Sequence, residues 1–474
     1  MGDCGRVTEK NVNKNTIKDM QRVFSAIALM LFVGMGFAQD KAVKAEIYGF
    51  VRNYFTYDSR SCVQSNEGLF NMLPNDQKLG VDGEDLNAIP SVRFLSMTTR
   101  FGLNVTGPEI WGAKSTAKIE SDFCGASSGT AFNLRIRQAY AKLAWEKSDL
   151  LVGQAWHPMA GDLMPEVFSL ATGAPFNPFN RSPQVRYNYA PIKGLSFTAA
   201  ALYQYQYGSV GLDGKTSNTY SRNALVPEFF VGMTAKGKHL TGGFGVNAST
   251  IAPRVTADVY DEAGKRIGTR RVDERLTSFS AMVFGSLKVD YLTVRAKAMY
   301  GENTSHMQQP TGYGVVWMDQ NDSYVYEPMQ LGSAWITMMY GKKLRYGFFA
   351  GWMKNYGSVK NDFIGNVVIG QDKDGKDVYM IMADGKAPGS AFVSRNNISY
   401  DKNTGLDQAF RFSPIVTYKV ENMTIGIEYE HTAAAYGKYK LNMNEYPKLY
   451  TDGTVTDTHW VANNRVCVML KYDF

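Results

Sequence analysis

The chain ends in RVCVMLKYDF, residues 465–474. Val466, Val468, Leu470, Tyr472 and Phe474 alternate with a set that includes Arg465, Lys471 and Asp473. Period-two alternation marks a strand with one apolar and one polar face. Chain ends usually fray and carry polar residues, so a terminal strand that stops on Phe must be held by something. A strand of this kind needs a partner along each edge and an apolar medium against one face.

The other end carries an address. In MQRVFSAIALMLFVGMGFAQ, residues 20–39, Arg22 precedes an apolar run from Val23 to Phe37 and a small-residue exit at Gly36-Phe37-Ala38. This is the pattern of a secretory signal peptide, with cleavage expected after Ala38. Residues 1–19 are polar and patternless, and Met20 offers an alternative start. Without residues 1–38 the chain keeps 46 basic and 41 acidic residues. That excess is mild and spread along the chain, which gives no nucleic-acid footprint. Cys62, Cys124 and Cys467 are too few for a zinc site or a disulfide scaffold. One bridge, Cys62–Cys124, remains open to a chain in an oxidising compartment.

The terminal pattern recurs through the body. Residues 95–105 alternate Leu95, Met97, Thr99, Phe101, Leu103 and Val105 with Ser96, Thr98, Arg100, Gly102 and Asn104. Residues 114–123 set Lys114, Thr116, Lys118, Glu120 and Asp122 opposite Ala117, Ile119 and Phe123. Residues 45–57, 133–145, 195–207, 291–302 and 424–431 read the same way. About sixteen such runs follow residue 45. Their connections alternate in length. Short ones fall at 106–112, 146–149, 191–194, 288–290, 341–343 and 421–422, and longer ones at 58–92, 124–131, 157–182, 208–223, 252–272, 303–329, 357–407 and 434–458. In an antiparallel sheet, odd and even connections lie at opposite rims. A barrel inserted from one side of a membrane has this asymmetry, and lipid forbids an open sheet edge. The expectation is an all-β, transmembrane, antiparallel up-and-down barrel of about sixteen strands spanning 39–474, closed by pairing of its last strand with its first.

The segment GQAWHPMAGDLMPEVFSLATGAPFNPFNRSPQVRY, residues 153–187, together with the terminal KYDF, resembles Gram-negative outer-membrane porins, most closely the porin-like proteins of Bacteroidetes. The resemblance implies that the third long loop, about 157–182, folds into the lumen as a constriction. It also implies that Phe474, beside Tyr472 in an interfacial girdle, serves as a signal to the barrel assembly machinery, and that the barrel is a homotrimer in outer-membrane lipid.

Polar faces that look inward would line a water path. Arg52, Arg100, Lys114, Lys118, Arg135, Arg137, Arg295 and Lys297 fall on such faces. Clustered cations in a low-dielectric tube raise the local anion concentration. Asp162 and Glu166 of the third loop would stand across from them, unless the cations pair with Glu46, Glu120 and Asp122. Trp156, Phe168, Phe176 and Phe179 would either offer a greasy contact to sugars or, the commoner role, anchor the loop. The Asp-Gly stretches at 211–217, 261–268, 371–377 and 450–455 read as hairpin turns in external loops. The one at 371–377 lacks the terminal Glu of a calcium loop. His157, His239, His306, His431 and His459 show no metal-ligand spacing, and no catalytic or cofactor fingerprint appears. No metal, cofactor or enzymatic activity is expected. The leading expectation is passive diffusion of small hydrophilic solutes with an anionic leaning. The alternatives are a channel selective for a sugar or carboxylate, and an adhesin or surface-antigen barrel without conductance.

Overall fold

In a computed structural model of the chain, the structure describes residues 43–125, 132–161, 163–212, 216–261, 266–318, 323–358, 360–364, 368–371, 377–379, 392–394, 404–445 and 448–474. The expected leader at 1–38, Asp162 and residues 372–376 of the expected turn at 371–377 lie outside them.

Sixteen strands form one closed antiparallel sheet. They are β1 (Lys44–Asp58), β2 (Ser91–Leu95 continued by Arg100–Ile110), β3 (Ala113–Asp122), β4 (Arg135–Ala144), β5 (Ser148–Trp156), β6 (Arg181–Ile192), β7 (Leu195–Leu202) and β8 (Glu228–Lys236). The second half comprises β9 (Leu240–Ile251), β10 (Leu276–Val289), β11 (Leu292–Glu302), β12 (Gln330–Gly341), β13 (Leu344–Gly357), β14 (Thr404–Val420), β15 (Met423–Glu445) and β16 (Lys448–Asp473). Each strand pairs with its sequence neighbours, and β16 returns to β1 in a register from Phe50↔Asp473 to Asp58↔Arg465.

Closure explains the C-terminal Phe. Gly49 and Phe474 exchange both backbone hydrogen bonds, each 3.0 Å. A side chain at Gly49 would meet the Phe474 ring, its Cβ lying 2.7 Å from Cζ. Glycine therefore lets the terminal ring lie on the wall. The pairing puts Val466, Val468, Leu470 and Tyr472 on the outer face with Val51, Phe55 and Tyr57, and Arg465, Cys467, Met469 and Lys471 on the inner face.

Outside, the barrel presents an apolar surface, with Ile47, Val185, Phe279, Val283 and Ile427 all exposed. Only hydrocarbon satisfies such a band. At the rim of tight turns, Tyr291, Tyr340 and Tyr346 pack edge to face or tilted, with ring centroids 6.4 and 5.7 Å apart, where an interfacial girdle belongs. No helix among the described residues is long and apolar enough to cross a membrane.

Two features depart from the sequence reading. The alternation over 95–105 is broken: Tyr54↔Leu95 and Phe50↔Arg100 place five steps of β2 against four of β1. The extra residue reverses parity, so Leu95 faces inward while Phe101 faces out. The stretch 434–458 is no loop. β15 and β16 continue as a hairpin, and 450–455 lies inside β16 rather than at a turn.

Candidate constriction and its charged wall

The third connection, L3 (157–180), leaves β5 and lies inside the barrel against the far wall. Phe168 is held from both sides: the Tyr54 hydroxyl donates to its carbonyl (2.6 Å) and its N–H donates to Glu428 (2.6 Å). Lys297 Nζ donates to the carbonyls of Met159 and Ala160 (2.8 and 3.3 Å). Arg295 donates to Met164 O and pairs with Glu166 (both 3.2 Å), whose other oxygen meets Arg345 at 2.8 Å. Trp335 Nε1 donates to Asn177 Oδ1 (3.0 Å). Glycine makes room twice on this wall: a Cβ at Gly351 would press on Phe176, and one at Gly426 on Phe168.

A second loop shares the lumen. L1 (59–90) carries a hairpin, Cys62–Ser65 with Phe70–Pro74, whose second strand is wholly buried. Arg411 of β14 pins both loops: Nη2 donates to the carbonyls of Asn71 and Met72 (3.3 and 2.8 Å), and Nη1 to Ala174 O (3.4 Å). Arg465 donates to Gly68 O and Tyr436 to Pro74 O, each at 2.8 Å. Phe70 meets Phe179 of L3 edge-on at 5.1 Å. Leu69, Phe70, Met72, Leu73, Phe168, Phe176 and Phe179 then form one apolar cluster with Trp335 and Phe349 of the wall. Buried strand carbonyls and apolar side chains in a tube of water need such partners, and the inward arginines supply them.

Beside this plug, β1 to β4 carry a ladder of charge. Arg137 bridges Glu120 (2.8 Å) and Asp122 (2.6 Å), and Arg135 pairs with Asp122 at 2.7 Å. Arg100 and Lys118 stand 3.7 and 3.9 Å from Glu120. Arg52 donates to Thr98 Oγ1 (3.0 Å), and its guanidinium covers the Phe50 and Tyr54 rings at 4.8 and 5.1 Å. Four cations thus share two carboxylates, with Arg52 beside them, a local excess of positive charge.

The chain shares its fold with outer-membrane channels. The outer membrane channel DcaP of Acinetobacter baumannii superimposes with a TM-score of 0.59 at 18% identity, over 91% of this chain and 98% of that one. An anion-selective porin from Comamonas acidovorans does so with a TM-score of 0.50 at 9% identity, over 91% and 100%. No protein-family model matches the sequence, and no curated protein matches it.

The strand registers carry Arg52, Arg100, Lys114, Lys118, Arg135, Arg137, Arg295 and Lys297 on inward-facing positions. Their surroundings differ. Arg135 and Arg137 are locked to carboxylates, and Lys297 and Arg295 hold L3. Glu166 is bracketed by Arg295 and Arg345 on the wall opposite the ladder. Phe168, Phe176 and Phe179 are buried as anchors of L3. The Cys62–Cys124 bridge is not formed. Cys62 Sγ donates to Arg60 O and Cys124 Sγ to Met97 O, and both remain free, buried thiols, as does Cys467. Burial pushes the Cys62 thiol up to about 12 and the Cys124 thiol up to about 11.

Sequence spacing missed one cluster. His157 of L3, Glu228 of β8 and His306 of L6 (303–329) converge, with donor atoms within 4.8 Å of one another. Both imidazoles place Nε2 on Glu228 Oε1, at 3.1 and 3.0 Å. The Met159 N–H donates to His157 Nδ1 (3.2 Å), so His157 Nε2 must carry the proton and donate to Glu228. That leaves this ring no lone pair for a metal, and the trio reads as a hub joining L3, L6 and the wall. L6 adds Met307 O as acceptor for Phe179 N–H at 2.8 Å.

Above L3, a cavity of about 480 Å³ opens among L1, L4 (203–227) and L6. Farther out, Glu274 of L5 (252–275) takes both Arg254 contacts at 2.7 Å, the Tyr324 N–H and the Tyr326 hydroxyl. Burial raises this carboxyl, but those donors outweigh it and hold it below the usual range.

Proposed function

We propose that the protein is an outer-membrane diffusion channel that passes small hydrophilic solutes with an anionic leaning, working as a homotrimer once the leader is removed. The observation that carries this reading is the ladder of four cations on two carboxylates, with Arg52 next to it, beside a lumenal loop. A fixed positive excess in a narrow, low-dielectric tube attracts anions and repels cations without chemistry. The apolar cluster of L1 and L3 favours a narrow bore, because two loops share the cross-section that L3 alone was expected to take.

Liposome swelling with uncharged sugars of graded size tests this function. Uptake should fall steeply from a monosaccharide to a trisaccharide. Uptake of none of them, with the barrel folded in the vesicle, would favour the second reading, a sealed surface-exposed barrel. The packing of L1 and L3 against one another is the observation in that reading's favour.

A further inference from the structure

The geometry points to a binding site for neutral, hydroxyl-rich solutes of the saccharide class in the external mouth of the barrel. The site is the cavity of about 480 Å³ among L1, L4 and L6, a volume within the range of small-molecule pockets. Phe70, Tyr205 and Tyr207 give it aromatic faces, and Gln64, Gln206 and Gln308 give it amides. No Asp, Glu, Lys or Arg lines it among the described residues. That sets it apart from the charged ladder below.

Two amide donors there lack partners among the described residues. Gln308 is 4% exposed, and its Nε2 and the Nε2 of Gln206 are buried with no hydrogen-bond acceptor. The other end of Gln206 is fixed, since its Oε1 accepts from Arg181 Nε at 3.0 Å. Leaving a buried donor unpaired costs about 1–3 kcal/mol, so rotation of the Gln308 amide toward a ligand acceptor in the cavity recovers what the empty site loses. Hydroxyls serve both amide ends, and the C–H faces of a sugar ring pack on phenyl and phenol rings. A carboxylate or ammonium would be stripped of water here with no charged group in the described lining itself, Arg181 and Arg93 being turned to the amide oxygens of Gln206 and Gln64.

The cavity also stands on the solute path. Phe70 and Tyr207 both touch Phe179 of L3, with centroids 5.1 and 6.0 Å away, so its floor is the constriction loop. Tyr205, 63% exposed, forms the rim. A neutral sugar captured here would wait directly above the narrowest region. This deepens the channel reading by naming a solute class, but binding itself does not require conduction.

The test is calorimetric titration of the folded protein, in a detergent without a sugar headgroup, with sucrose, maltotriose, glucuronate and a neutral tripeptide. Saturable binding of the neutral sugars is expected, with glucuronate and the tripeptide weaker. Tyr205→Ala should weaken sugar binding about fivefold, the loss of one aromatic contact. Gln308→Asn, which shortens the amide but tolerates the left-handed backbone at φ 63°, should also weaken it. Both variants should keep the folded gel mobility. Absence of saturable sugar binding overturns the proposal, as does binding unchanged in both variants, or a preference for glucuronate or tripeptide. Sugar binding by a non-conducting barrel would refute the channel function and leave this site standing. Conductance without sugar binding would do the reverse.

Discussion

Arg52→Gln should lower anion preference without unfolding the barrel. Arg52 sits on β1 at the level of L3, since its neighbour Tyr54 holds Phe168 O at 2.6 Å. It has no carboxylate partner among the described residues; its contacts are Thr98 Oγ1 and the Phe50 and Tyr54 rings. An ion passing about 7 Å from the guanidinium in water feels roughly 0.6 kcal/mol. Screening at 0.1 M salt halves this to roughly 0.3 kcal/mol. Anions and cations shift in opposite directions, so the anion-to-cation permeability ratio should fall about threefold. At 1 M salt the Debye length is about 3 Å and the effect should nearly vanish. The assay is reversal potential across a salt gradient, at both ionic strengths, for wild type and variant. An unchanged ratio at low salt, with normal conductance and folded mobility, would refute the placement of Arg52 at the constriction.

The remaining predictions concern structure. Arg137→Met should lower stability, because Glu120 and Asp122 lose the buried partner they share and keep only Arg100, Lys118 and Arg135 as cationic partners. The expected loss is about 1–3 kcal/mol, read as a lower temperature for the heat-dependent shift in gel mobility; an unchanged transition would contradict the ladder. Cys62 and Cys124 should resist a maleimide reagent at pH 8 in the folded barrel, their raised thiol ranges leaving little thiolate. All three cysteines after residue 39 should label on unfolding without reductant, and loss of two would reveal a bridge. Glu274 contributes docking of L5 to L6 that is present above the ordinary Glu range and lost as pH falls through its lowered value. Hydrogen exchange at 324–328 should therefore quicken at acid pH in wild type and already at neutral pH in Glu274→Gln; equal protection in both proteins would sink this assignment.

Local pattern and distant docking differ in how much of them the sequence reveals. Each strand records its environment residue by residue, so the alternation of Val466 to Phe474 and the two classes of connection were enough for a closed barrel. The bulge at 96–99 escaped because apolar Leu95 and Met97 happen to keep period with Phe101 while the backbone inserts a residue. The docking of L1 left one trace, the apolar run Leu69–Phe70 with Met72–Leu73 in a segment otherwise polar. Where it docks depends on Arg411, some 340 residues away, and on Arg465. Inward cations were identifiable from parity, but parity cannot say which of them face solutes and which hold loops. Lys297 and Arg295 turned out to carry L3. The His157–Glu228–His306 hub is likewise invisible to spacing, because its members come from three separate elements.

The direct test is the single-channel behaviour of the purified protein in a planar bilayer with a salt gradient across it. Discrete conductance steps with a reversal potential of anionic sign are the predicted result. A cation-selective reversal potential would contradict the account of the charged wall, and a folded, inserted barrel that passes no current would contradict the account of the lumen.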